Sequence, residues 1–210
     1  MSDWRPGVDR AVLEERAALL ARLREFFGER GVLEVDTPLL GRYAVTDPAI
    51  EPLIVADAAV SPEPLYLQTS PEFAMKRLLA AGSGAIYQLG KVFRDGEVGA
   101  RHNPEFTMLE WYRPGFDLAQ LMDEVAALVQ HCLPGALPVA VRRYGDLFRE
   151  VLAVDPHRAA RQELAAVARG RGDFGQLDFD RDGWLDLLMT HAVEPLSLIH
   201  ISEPTRLDAR

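Results

Sequence analysis

The stretch Phe93-Arg94-Asp95-Gly96-Glu97-Val98-Gly99-Ala100-Arg101-His102-Asn103-Pro104-Glu105-Phe106-Thr107-Met108-Leu109-Glu110-Trp111-Tyr112 decides the fold. An arginine closes one strand, a short loop rich in Gly and charge follows, and a second strand begins at Glu105. Side chains on a strand point to opposite faces with period two. Phe106, Met108, Glu110 and Tyr112 therefore share one face, and Thr107, Leu109 and Trp111 share the other. A carboxylate flanked by aromatics, beside a loop carrying Arg94, Arg101 and His102, is not the composition of a plain core hairpin. It suits an anionic phosphate at the loop and a cationic substrate at the carboxylate.

Outward from this hairpin, the pattern alternates helices and strands. Val12, Leu19, Leu23 and Phe26 recur at helical spacing, with Leu13, Leu20 and Phe27 beside them, and predict a helix over 10–30. Gly31 is its C-terminal cap. A short strand over 32–35 is closed by Pro38, and the proline-rich, aperiodic stretch 41–64 reads as a surface loop. A strand over 65–68 leads to a helix with Ser70 at the N-cap and Pro71 at the first helical position, stopped by Gly82-Ser83-Gly84. Residues 85–93 and 105–112 make the long hairpin. Asp117 and Gln120 form a capping pair for a helix over 118–132. Shorter helices follow over 145–152, 162–169 and 181–192. The fold class is α+β.

Composition narrows the function classes. The 210 residues are ample for one domain with a real core and short for two. The polar start offers no signal peptide, and no apolar run reaches membrane-spanning length. The single cysteine, Cys132, excludes an internal disulfide and fits the reducing cytoplasm. A net charge of -9 with 23 basic residues weighs against a polyanionic RNA partner.

The 93–112 segment resembles motif 2 of the class II aminoacyl-tRNA synthetases in its lysyl-branch form. Arg30-Gly31-Val32-Leu33-Glu34-Val35-Asp36-Thr37-Pro38-Leu39 resembles motif 1, the element that builds the dimer interface in that class. Thr69-Ser70-Pro71-Glu72-Phe73-Ala74-Met75-Lys76-Arg77-Leu78 resembles the substrate-side segment of the lysyl branch, where a tRNA-charging enzyme typically has Ala-Pro-Glu. Together with Asn103-Pro104-Glu105-Phe106-Thr107-Met108-Leu109-Glu110-Trp111-Tyr112-Arg113-Pro114, that Ser-Pro-Glu resembles the stand-alone lysyl-synthetase paralogues that modify elongation factor P. The resemblance covers residues 10–195.

This resemblance implies a class II synthetase-like antiparallel sheet flanked by helices. It implies ATP-dependent activation of (R)-β-lysine, or lysine, to an aminoacyl-adenylate, and transfer to a lysine of elongation factor P. A homodimer through motif 1 is implied, with neither tRNA nor membrane as a partner. No anticodon-binding domain fits ahead of motif 1. Residues 1–195 are expected to form a partial catalytic domain truncated before motif 3, without necessary catalytic parts, so that this chain alone is inactive. The missing part would carry the acidic residues that hold Mg2+. Residues 196–210 do not resemble the family. They look like translated sequencing or assembly read-through, the alternative being a divergent terminal strand, since Leu198, His200 and Ser202 alternate with Ile199 and Ile201. Two other functions stand beside the ligase: a catalytic-domain fragment of a lysyl-tRNA synthetase, and a non-catalytic truncated paralogue that binds a nucleotide.

Residue by residue, the resemblance assigns Arg94 to the α-phosphate and the substrate carboxylate. A guanidinium suits that role because it stays charged and donates in a bidentate fork; a strand-end ion pair with Asp95 or Glu97 is the structural alternative. Asp95, Gly96, His102, Asn103 and Phe106 fall on the ATP side. Phe106 would stack on adenine, against the bland alternatives of a core phenylalanine and ordinary Asn-Pro turn chemistry at Asn103. Gly96 departs from the usual motif, so the adenine-reading glutamate contact passes to its backbone or to Glu97. Ser70, Pro71, Glu72, Glu110 and Tyr112 fall on the amino-acid side. Ser70 is also a plausible cap, and Glu72 is also a first-turn helix acid favoured by the macrodipole. No metal ligand is expected within this chain.

Overall fold

Asp9 starts the first helix, α1 (Arg10–Glu29), by accepting the Val12 N–H on its carboxylate at 3.0 Å. Its end is a full Schellman closure. Gly31 sits in the left-handed region at φ 63°, and its N–H reaches Gly28 O at 3.1 Å. The Val32 N–H reaches Phe27 O at 3.0 Å, and Val32 is buried in the same cluster as Phe27. The structure, a computed structural model, describes residues 7–96, 98–99, 102–135, 138–172, 174 and 177–196. Expectations for Glu97, for Arg101 and for the tail beyond residue 196 lie outside the described residues.

The chain forms two compact units, one up to Leu137 and one from Pro138. In the first, β1 (Leu33–Glu34), β5 (Ile86–Phe93) and β6 (Glu105–Tyr112) make one sheet in the order β1-β5-β6. β5 and β6 pair antiparallel from Ile86↔Tyr112 to Phe93↔Glu105, as the hairpin pattern predicts. β1 joins β5 in parallel beside this antiparallel pair, Leu33 opposite Ile86.

The surface loop expected over 41–64 is corrected. It contributes β3 (Ile54–Val55), and its start overlaps β2 (Leu40–Gly41); both flank β4 (Leu65–Leu67) antiparallel in a second sheet ordered β2-β4-β3. Two-residue strands carry no readable periodicity, so only their long-range partner reveals them. α2 (Glu72–Ala80) begins one residue later than expected, with Pro71 at the N-cap; the Ser70 hydroxyl still accepts the Glu72 N–H at 3.4 Å. α3 (Leu118–Cys132) opens on the expected capping box, in which Asp117 accepts the Gln120 N–H at 2.8 Å and Gln120 accepts the Asp117 N–H at 2.9 Å.

Phe26, Phe27, Val32, Tyr87, Leu128 and Cys132 form the core of this unit, with Leu109 and Trp111 packed against it. Phe27 stacks on Tyr87 at 4.5 Å between ring centroids. One face of β5–β6 is thereby committed to α1 and α3. On the same side, Glu124 is buried, accepting Trp111 Nε1–H at 3.1 Å and pairing with Arg113 Nε at 3.3 Å.

The second unit holds α4 (Tyr144–Leu152), α5 (Arg161–Arg169) and α6 (Arg181–Leu188) around Phe148, Leu164, Trp184, Leu188 and Val193. The helix expected over 181–192 is α-helical only to Leu188; Met189–Val193 continue as a π-helical turn. Among the described residues no helix is long and apolar enough to cross a membrane. Cys132 is a free, buried thiol, and burial pushes its pKa up.

Removing Glu124 leaves the Arg113 cation and the Trp111 N–H without their buried acceptor. Glu124→Ala should lower the unfolding free energy by about 3 kcal/mol, read from urea denaturation. A loss under about 1 kcal/mol would show the pair to be a solvated surface contact.

Candidate functional site

The face of β5–β6 turned away from the core carries the candidate site. Register and alternation place Val92 opposite Phe106, Gly90 opposite Met108, Gln88 opposite Glu110 and Ile86 opposite Tyr112, all on this face. Glu110 and Tyr112, two positions apart on one strand, join directly: Tyr112 Oη donates to Glu110 Oε1 at 2.8 Å. Burial raises the Glu110 carboxyl above its ordinary 4.5, the Tyr112 hydrogen bond opposes this, the Glu72 carboxylate raises it further and Lys76 lowers it. Burial and the adjacent Glu110 carboxylate push Tyr112 strongly upward, so it remains a donor.

The substrate-side segment enters this field through α2. Glu72 stands in the first turn of α2 and forms an ion pair with Lys76 one turn on, and both act electrostatically on Glu110. Ser70 and Glu72 also line an open groove of about 740 Å³ beside Leu39, Tyr43 and Phe73. Arg94, Phe106, Glu110 and Tyr112 are not in that lining, whereas Thr37, Gln68 and Thr69 are.

Arg94 follows the end of β5. Its N–H bonds Pro104 O at 2.9 Å, its Nε donates to Thr69 O at 3.4 Å, and its guanidinium stands 5.3 Å from the centre of the Phe106 ring. The arginine thus touches both the substrate-side segment and the ring expected to stack on a base. Asp95 bonds Glu51 O through its N–H at 2.8 Å, and its carboxylate accepts the Gly96 N–H at 2.9 Å. Gly96 has φ 74°, where a side chain would be strained, which accounts for glycine at this turn. His102 and Asn103 are exposed at the far side of the loop, where His102 and Gly99 exchange backbone bonds of 3.1 and 3.4 Å. The expected residues therefore fall into an acid end (Glu72, Glu110, Tyr112) and a cationic, aromatic end (Arg94, Phe106). His102 and Asn103 are exposed on the connecting loop, Asn103 directly before Pro104, whose carbonyl accepts the Arg94 N–H.

One residue of this face was missed from sequence. Gln88 is only 3% exposed, opposite Glu110. Its signal was a lone amide within the otherwise apolar run Ala85-Ile86-Tyr87-Gln88-Leu89. Among the described residues no group of three or more His, Cys, Asp or Glu side chains is placed to hold a metal ion.

The raised Glu110 pKa has a definite linkage sign. Between 4.5 and the raised value the folded state binds more protons than the unfolded one, so this group's contribution to stability falls as pH rises through that window. Above it the folded state holds a charge at a cost. Glu110→Gln, which keeps an acceptor for Tyr112, should raise the melting temperature at pH 7–8, with the gain fading near pH 4 (roughly the unfolded carboxylate pKa). A variant less stable than the parent at neutral pH would refute this assignment.

Comparison with known proteins agrees with the resemblance. The family model "tRNA synthetases class II (D, K and N)" matches residues 1–152. The chain is 47% identical to the elongation factor P–(R)-β-lysine ligase of Erwinia tasmaniensis, covering 93% of this chain and 62% of the relative. It is 48% identical to the ligase of that name from Vibrio cholerae, with 92% and 61% covered, and 44% identical to that of Haemophilus influenzae, with 93% and 61% covered. The chain thus spans about three fifths of the length of these relatives. With the three motifs, the hairpin register and the family match in agreement, the chain belongs to the class II tRNA synthetases of the D, K and N group.

Proposed function

We propose that this chain supplies the motif 1 and motif 2 part of a ligase that activates (R)-β-lysine with ATP and transfers it to a lysine of elongation factor P. The observation that carries the reading is the acid end of the β6 face: Glu110, held by a neutral phenol, within the field of Glu72. Glu72 and Glu110, with Lys76 the one cation among the groups acting on Glu110, leave net negative charge, which favours a dicationic amino acid. The names of the curated relatives supply the substrate and acceptor.

In the reaction, the substrate carboxylate attacks the α-phosphate of ATP, the bond to pyrophosphate breaks, and an aminoacyl-adenylate forms. The lysine amine of the acceptor then displaces AMP. Negative charge grows on the phosphoryl oxygens, where a fixed guanidinium stabilises it. Arg94 takes that role, with Phe106 beneath it to stack on adenine and Gly96, Asp95, His102 and Asn103 forming the loop over the nucleotide. Glu72 and Glu110 bind the substrate ammonium groups, Tyr112 orients Glu110, and Ser70 with Pro71 shapes the pocket near the α-carbon. Since the described residues do not assemble a metal site, no step here is assigned to Mg2+.

Leu33 and Leu39 are exposed on the motif 1 segment. They support a homodimer through this edge, and the cytoplasm is the compartment this reading requires.

The test uses this chain extended by the C-terminal remainder of the Vibrio cholerae relative. Amino-acid-dependent ATP–pyrophosphate exchange is expected with (R)-β-lysine, followed by a mass shift on elongation factor P. Exchange with lysine and acylation of tRNA, with elongation factor P unmodified, would replace the acceptor. Arg94→Ala should cut exchange by about 10²–10³-fold; undiminished exchange would remove Arg94 from its role. Light scattering should give a dimer that Leu33→Asp converts to monomer, and a monomeric, fully active parent would end the dimer proposal.

A further inference from the structure

We infer that Gln88, Thr37 and Gln68 form a positioning network that sets the spacing between the two acids of the amino-acid site. This rests on the lysine-binding role proposed for Glu72 and Glu110.

Gln88 faces the site side of the sheet in register with Glu110, and it is buried. A buried amide is retained only where its hydrogen bonds are made. Gln88 Oε1 accepts the Thr37 N–H at 3.1 Å. Thr37, 5% exposed, donates its hydroxyl to Gln68 Oε1 at 3.4 Å. Gln68 Nε2 in turn donates to Lys91 O at 2.9 Å, back on β5. The chain of bonds starts and ends on one strand and passes through Thr37 on the way.

Gln68 also anchors the substrate-side segment by its backbone. Its N–H bonds Leu39 O at 2.8 Å and its carbonyl accepts the Phe93 N–H at 2.9 Å. Thr69, Ser70, Pro71 and Glu72 follow directly. The same residues therefore tie the start of the Glu72 segment to the strand opposite Glu110. Gly90 contributes by having no side chain: a Cβ there would stand 3.4 Å from Gln88 Nε2, so the amide rests over bare backbone. None of the three residues needs to touch substrate for this effect. Each acts through Glu72 or Glu110.

A positioning role separates from a merely structural one by which Michaelis constant moves. In the extended chain, Gln88→Leu removes the acceptor of a buried N–H. The KM for (R)-β-lysine in pyrophosphate exchange should rise about tenfold, about 1.4 kcal/mol, with the KM for ATP within about twofold. If Gln88→Leu does not fold, Thr37→Val, which deletes only the hydroxyl bond to Gln68, should shift the same constant in the same direction. An unchanged amino-acid KM, or KM for both substrates rising together, would overturn the network. Absence of exchange in the unsubstituted protein is a separate result, and it overturns the ligase reading itself.

Discussion

The pairing of β5 with β6 is the constraint on which the rest of the first unit depends. Because side chains alternate, the register that puts Tyr87 opposite Trp111 also puts Gln88 opposite Glu110. The first pair faces α1 and α3, where Phe27 stacks on Tyr87 and leans on Trp111 at 5.6 Å. The second pair faces outward to the candidate site. A slip of one residue would drive Glu110 into an aromatic core and expose Trp111. Burying Tyr87, Leu109 and Trp111 against two helices therefore also specifies where the carboxylate stands, so the packing energy of one face fixes the chemistry of the other.

Much of this was legible in the sequence because it is local. The alternation over 105–112, the Asp117–Gln120 capping box and the Gly31 closure each depend on residues within one or two turns of each other, and each was found where expected. The two-residue strands β2 and β3 depend on β4, which no local pattern announces. The parallel seat of β1 beside β5 has the same origin, a partner more than fifty residues away. The π turn after Leu188 also escaped, since the apolar spacing through Met189 and Val193 reads as a continuing α-helix.

The site divides along the same line. Arg94, Phe106, Glu110 and Tyr112 lie on or next to the long hairpin strands, so their arrangement follows from local alternation and register. Gln88, Thr37 and Gln68 come from three separate stretches of chain and meet through hydrogen bonds that involve their side chains. Sequence spacing says nothing about such a meeting. A lone amide in an apolar strand asks for a partner, and only the folded chain supplies Thr37.

Glu110 and Glu124 show how two carboxylates near one strand come to different uses. Glu124 is buried on the helix side with the Arg113 cation at 3.3 Å and the Trp111 N–H at 3.1 Å. Its charge is balanced within the chain, and its partners leave little for a ligand to add. Glu110, across the sheet, receives a hydrogen bond from a neutral phenol, with another carboxylate among the groups that act on it. Burial and Glu72 work against its charge, and Lys76, itself paired with Glu72, offsets this only in part. A cation arriving from outside would remove that electrostatic cost. The fold thus holds the charge of Glu110 incompletely compensated, and a cation is what the proposed role of this carboxylate would bring to it.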